Sequence, residues 1–199
     1  MNTSRELTDQ ISSVLDLAKV NAGKINVMIS EMSLLSVVES AADACAPMAR
    51  RKELEFAVYV DPKIPSRCLG DSNLVTLLLS TFVRNAIHIT LNGPVILTAE
   101  LENQNSTHSK IMFKCMFSGD ISKLFERETW DISVCKMLVQ QMNGKIEIVK
   151  NRMISCSIPF KHTNKTSTLE YFDEFEKPPN VVIYIRIKTY RIIVEKYLK

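Results

Sequence analysis

The sequence predicts an α/β two-layer sandwich in which helices cover one face of a mixed sheet. Three observations carry this. Segments 34–51 and 72–90 place apolar residues at helical spacing, and shorter strand-like runs alternate with them and follow them. A hydrophobic content of 46% in 199 residues is enough for a core.

The first predicted element is an amphipathic helix over 4–21, with Leu7, Ile11, Val14, Leu15 and Ala18 on one face and Gly23 as its stop. A short strand follows in "INVMISEMS". Ser33 then precedes a helix from Leu34 to Arg51 that turns Leu35, Val38, Ala42, Cys45 and Ala49 inward. "LEFAVYVD" alternates as a strand and "PKIP" is a loop. A helix from Ser72 to Thr90 buries Leu74, Leu78, Phe82, Ala86 and Ile89. "NGP" turns into the strand "VILTAELE", and polar "NQNSTHS" leads to "KIMFKCMF". "ISVCKMLVQQMNG" is a further helix closed by Asn143 and Gly144, and the strands "KIEIVK" and "ISCSIPF" end the compact part near Phe160. Residues 161–179 read as a polar linker with two prolines, followed by the strand "NVVIYI" and the helix "YRIIVEKYLK".

A net charge of +3, with basic and acidic residues interspersed, gives no basic stripe and argues against a nucleic-acid partner. The five cysteines (Cys45, Cys68, Cys115, Cys135, Cys156) form no C-x-x-C pair and read as buried reduced thiols. The three histidines (His88, His108, His162) are dispersed, which argues against a metal cluster. No apolar run reaches the roughly 18 residues of a membrane span, and "MNTSRELTDQ" is not a signal peptide. The expectation is a soluble, cytoplasmic protein.

"VLDLAKVNAGKINV", "LGDSNLVTLLLSTFVRNAIHIT" and "SVCKMLVQQMNGKIEIVK" occur in that order. With them the chain resembles the ATP-binding domain of sensor histidine kinases, including hybrid kinases. This is a GHKL-type domain of the Bergerat fold, and the match runs over about residues 5–160. The resemblance aligns Asn85 with the family's magnesium-holding Asn, and a carboxamide oxygen suits that hard ion. Thr81 and His88 share the helix face of Asn85 and stand where the family has an Asn and a basic residue.

Other positions depart from the family. In "FSGDI", Phe117 replaces the Asp that accepts the adenine amine, Gly119 is kept, and Ile121 replaces the second Gly. An adenine amine without its acceptor costs about 1–3 kcal/mol, roughly ten- to a hundredfold in affinity. Asp120 stands nearby as a weak substitute. The phosphate-loop glycines align with Arg127, Thr129 and Asp131, which deny phosphates a close backbone approach and add a carboxylate. "KLFE" abuts "RETWD", so the resemblance implies a deleted ATP lid. Residues 4–24 contain no His to accept phosphate. "NVVIYIRIKTYRIIVEKYLK" looks like the start of a receiver domain, with Arg186 and Ile187 in place of its acidic pair.

The expected organisation is a remnant dimerisation helix (1–24), a degenerate histidine-kinase ATPase-like domain (25–160), a linker (161–179) and a truncated receiver-like piece (180–199). Phe117 and Trp130 are expected to fill the former nucleotide pocket. The expected function is that of an inactive, pseudokinase-like protein of a two-component phosphorelay, with no obligatory cofactor. Its partners would be histidine kinases or response regulators, with a homodimer through residues 4–21 as a further option. The alternatives are a weak Mg-ATP-binding kinase that phosphorylates a His in trans, an adaptor or dimerisation module, and a non-functional fragment.

Overall fold

A computed structural model describes residues 27–119, 130–149, 152–163 and 182–184. The opening helix, Asp120, Ile121, Arg127, Thr129, Arg186, Ile187, most of the linker and the C-terminal helix lie outside the described residues. So do the side chains of Trp130 and Asp131.

Helix α1 spans Leu34–Arg51. Ser33 starts it, with extended backbone and an Oγ that accepts the Ser36 N–H at 3.3 Å. Its buried stripe consists of Leu34, Val37, Val38, Ala41, Ala42, Cys45, Ala46 and Ala49. Leu35, expected to point inward, is only partly buried. Small side chains on this stripe let α1 approach α2 (Ser72–Ile89) closely, and Cys45 Sγ lies 3.5 Å from the Ser80 carbonyl. Lys52, just past α1, donates from Nζ to the carbonyls of Ile87 at 2.9 Å and His88 at 2.8 Å. The ammonium thereby caps the negative end of α2 and ties the two helix ends together.

Asp71 is the N-cap of α2. Its Oδ1 accepts the N–H groups of Asn73 (3.0 Å) and Leu74 (3.1 Å), while Oδ2 accepts that of Met28 (2.8 Å). One buried carboxylate therefore starts the helix and anchors the segment that enters the domain. Asp71→Ala is expected to lower stability by about 1–2 kcal/mol, read as a lower urea midpoint. Asp71→Asn should recover part of the loss, since its oxygen can still cap.

The strands are β1 (Ser30–Met32), β2 (Glu55–Val60), β3 (Cys68–Gly70), β4 (Pro94–Gln104), β5 (His108–Met116), β6 (Lys145–Val149), β7 (Met153–His162) and β8 (Val182–Tyr184). They form one open mixed sheet in the order β1-β3-β7-β5-β4-β2-β8, with β6 also paired to β7. β2 and β4 run parallel, and the other pairs are antiparallel. Helices α1, α2 and α3 (Trp130–Gln141) pack side by side across one face. This is the predicted two-layer architecture.

Alternation fixes which face is which. On β5, Ser109, Ile111, Phe113 and Cys115 are buried toward the helices, and Lys110, Met112 and Lys114 point the other way. On that outer face, Lys114 pairs with Glu100 at 2.5 Å and Lys110 with Glu102 at 3.0 Å. The Ser157 hydroxyl also donates to Glu102, and this bond, followed by Lys110, lowers the Glu102 carboxyl below the usual range.

Three expectations about the strands need correction. β3 is additional to the strands legible in the sequence, because "CLG" carries no alternation and forms only through its pairing with β1 and β7. β7 runs past Phe160, since Lys161 pairs with His108 and Leu69, and His162 with Cys68. The first residues assigned to the linker therefore belong to the sheet. The strand predicted within "NVVIYI" is present, but it lies on the edge of this same sheet, with Ala57, Val58 and Tyr59 opposite Tyr184, Ile183 and Val182.

The five cysteines are buried and none forms a disulfide. Burial pushes Cys45 up to about 11, the Arg84 guanidinium partly offsetting it, and pushes Cys68 up to about 12. Burial raises Cys115 and Cys156 further still. A folded-state pKa raised above 9.0 contributes stability that is complete below that pH. That contribution is lost as the unfolded chain ionises first. The urea midpoint should therefore fall between pH 8 and pH 10, and thiol reagents should label the cysteines at pH 8 only after unfolding.

Candidate functional site

The candidate residues converge on the C-terminal half of α2. Thr81, Asn85 and His88 follow one another along that helix at the predicted spacing, but their environments differ. Thr81 and Asn85 are each only 3% exposed, whereas His88 is exposed in the last turn. Thr81 is committed locally, since its hydroxyl donates to the Leu77 carbonyl at 2.7 Å and accepts from Arg84 Nη2 at 3.2 Å.

Asn85 is different. Its Nδ2 is buried with no hydrogen-bond partner, the one such side-chain atom among the described residues. An amide donor held out of water without an acceptor is costly, by about 1–3 kcal/mol. The sequence flagged the residue but not this environment.

The end of α2 is fixed by backbone contacts. Thr90 donates from its N–H (3.0 Å) and its hydroxyl (2.7 Å) to the Ala86 carbonyl, and it forms a bridge with Gly119. A Cβ on Gly119 would lie 2.7 Å from the Ile89 carbonyl oxygen, so glycine is required there by the helix end itself. Phe117, two residues earlier, is 3% exposed within the hydrophobic core, and its N–H donates to the Arg152 carbonyl at 2.9 Å.

These residues do not fit Mg-ATP. The position aligned with the adenine acceptor carries a core phenyl ring, and the Thr81 hydroxyl is already engaged at both donor and acceptor. Among the described residues, no group of three or more His, Cys, Asp or Glu side chains is placed to hold a metal ion. No helix among them is long and apolar enough to cross a membrane.

Comparison with known proteins places the fold. No family model matches the chain. Hybrid signal transduction histidine kinase B of Dictyostelium discoideum is 31% identical over 113 residues, which is 57% of this chain and 6% of that protein. Hybrid signal transduction histidine kinase L of the same organism is 24% identical over an alignment of 185 residues that covers 80% of this chain and 11% of that protein. The chain thus spans a small part of the curated relatives it matches. Among solved structures, full-length ShkA in complex with AMPPNP superposes with a TM-score of 0.65 at 20% identity, covering 79% of this chain and 36% of that one. Histidine kinase ThkA in complex with the response regulator TrrA gives 0.54 at 18% identity, covering 76% and 48%. The described domain therefore shares the two-layer Bergerat-type fold of these histidine kinases and is distantly similar to hybrid histidine kinases in sequence.

Proposed function

We propose that the chain is a catalytically inactive histidine-kinase-like protein of a two-component phosphorelay, which acts by binding histidine kinases or response regulators. The observation that carries this reading is the joint burial of Asn85 and Phe117. In the resemblance, one supplies the magnesium ligand and the other stands where adenine needs a carboxylate. Enclosure by the fold withholds both side chains from a nucleotide, although the Phe117 ring stabilises the core and the unpartnered Asn85 donor costs stability. The ThkA–TrrA complex, in which a histidine kinase of the same fold is bound to a response regulator, supports a protein partner of that kind.

The unpartnered Asn85 Nδ2 favours a second reading, in which a ligand with an acceptor atom reaches the end of α2 and weak nucleotide binding survives. Radiolabelled ATP separates the two. The chain alone should label no protein, and it should leave a kinase lacking its own ATP-binding domain unlabelled. Added to an intact kinase and regulator pair, it should change the amount of phosphoregulator at least about twofold, a small free-energy effect. Phosphate transferred to the truncated kinase by this chain would establish the enzyme reading instead. No change in the intact pair would remove the regulatory one.

A further inference from the structure

The cysteines and histidines are dispersed in the sequence, but the sheet brings one of each together beside a methionine. Met32 on β1 stands opposite Cys68 on β3, and Cys68 stands opposite His162 on β7, so a thioether, a thiol and an imidazole form one row across three strands. Residues directly opposite share a face of the sheet, with Cβ atoms about 4.5–5.5 Å apart. Met32 and Cys68 are buried in the core, Cys68 at 1% exposure, and His162 is half-buried, which leaves the row an approach from solvent. The Met32 side chain lies beside Cys68 on that face, since its Sδ would be 3.2 Å from a Cβ at Gly70. From the β5 side, the buried Ser109 hydroxyl meets His162 Nε2 at 2.8 Å. Nδ1 has no partner among the described residues. Burial alone pushes the Cys68 thiol up to about 12.

We propose that Met32, Cys68 and His162 form a binding site for monovalent copper, Cu(I), with Ser109 positioning the imidazole. Thiolate and thioether sulfur select a soft ion, and imidazole nitrogen suits copper. Structural zinc takes four ligands, and among the described residues no third His, Cys, Asp or Glu joins this pair. Charge points the same way. Binding releases the Cys68 proton to solvent as the S–Cu bond forms, the copper stays Cu(I), and a thiolate with a monovalent cation makes a neutral centre. A divalent ion in the same place would leave a buried charge uncompensated. Ser109 fits the role of outer partner, because accepting the Nε2 proton fixes the tautomer whose lone pair is on Nδ1. Met32 is an adaptable third ligand, since its unbranched side chain can turn toward the metal. A bound ion would tie the three-residue strands β1 and β3 to the end of β7, which β3 meets at two residue pairs.

The test uses the full chain, reduced and free of oxygen, with Cu(I) supplied from a coloured chelator that reports the metal it loses. The chain should withdraw a single Cu(I) per molecule and gain a near-ultraviolet thiolate-to-copper absorption. X-ray absorption should find sulfur and nitrogen together around the metal. Cys68→Ala should abolish uptake. Met32→Leu and His162→Ala should each weaken it at least about tenfold, and Ser109→Ala by about 10–100-fold. Cys45→Ala, a buried thiol on α1 outside the row, should leave the affinity unchanged. Circular dichroism checks that each variant is folded, and Met32→Leu, which nearly conserves volume, keeps the test decisive if Cys68→Ala does not fold. No uptake by the unaltered chain, uptake that survives Cys68→Ala, an affinity indifferent to Met32→Leu, or a metal shell without nitrogen would each overturn the proposal.

Discussion

Phe113→Ala should lower the unfolding free energy by about 3–5 kcal/mol, the largest loss expected from one substitution in this domain. Phe113 lies on β5, whose neighbours are β4 and β7, and is fully buried. Its ring meets Phe160 edge to face, with centroids 6.4 Å apart and planes at 89°. Both neighbouring strands are fixed along their length by backbone pairing, so the site cannot collapse to fill the cavity. The cavity cost therefore adds to the lost transfer energy. Met112→Ala, on the opposite face of the same strand, should cost less than about 1 kcal/mol. Equal losses for the two in urea unfolding would mean that the helix-facing layer is not the core described here.

Asn85→Leu should move stability the other way, raising it by about 1–3 kcal/mol. The substitution removes a buried donor that has no acceptor and puts apolar atoms in a largely apolar surrounding, where the flanking Ala86 and Ile87 are fully buried. Polar-to-apolar replacement at a family site would ordinarily be expected to destabilise, so the sign is informative. A lower urea midpoint in Asn85→Leu would mean that the carboxamide is paired in solution. Asn85→Asp provides the control, because a carboxylate buried in the same place should destabilise.

Much of the architecture was legible because local signals agreed with the global fold. Ser33 and the apolar stripe after it marked α1, and the run that forms β5 read as a strand from its own residues. Signals that depend on distant partners were not legible. β3 exists because β1 and β7 flank it, and the extension of β7 to His162 depends on the same pairing. The strand at 182–184 could be read from its own residues, but nothing local indicated β2 as its neighbour. The glycines give the same lesson. Asn143, not Gly144, adopts the left-handed φ of +54° after α3. Gly144 is needed because a Cβ there would lie 2.7 Å from the Ser157 carbonyl oxygen.

For the candidate site, the sequence supplied the residues and the structure supplied their surroundings. Spacing put Thr81, Asn85 and His88 on one face of α2, but spacing does not tell a buried face from an open one. The burial of Phe117 followed from its aromatic character. The orphaned Nδ2 of Asn85 did not, because it depends on what every neighbouring element fails to offer.

Calorimetric titration of Mg-ATP into the full chain, with Asn85→Ala alongside, tests the central claim directly. The account predicts no saturable heat for either protein at millimolar nucleotide, because the position of the adenine acceptor is a core phenylalanine and the Asn85 carboxamide is sealed in the fold. Binding tighter than about 100 µM that disappears in Asn85→Ala would contradict it, and would show that the end of α2 still holds a nucleotide.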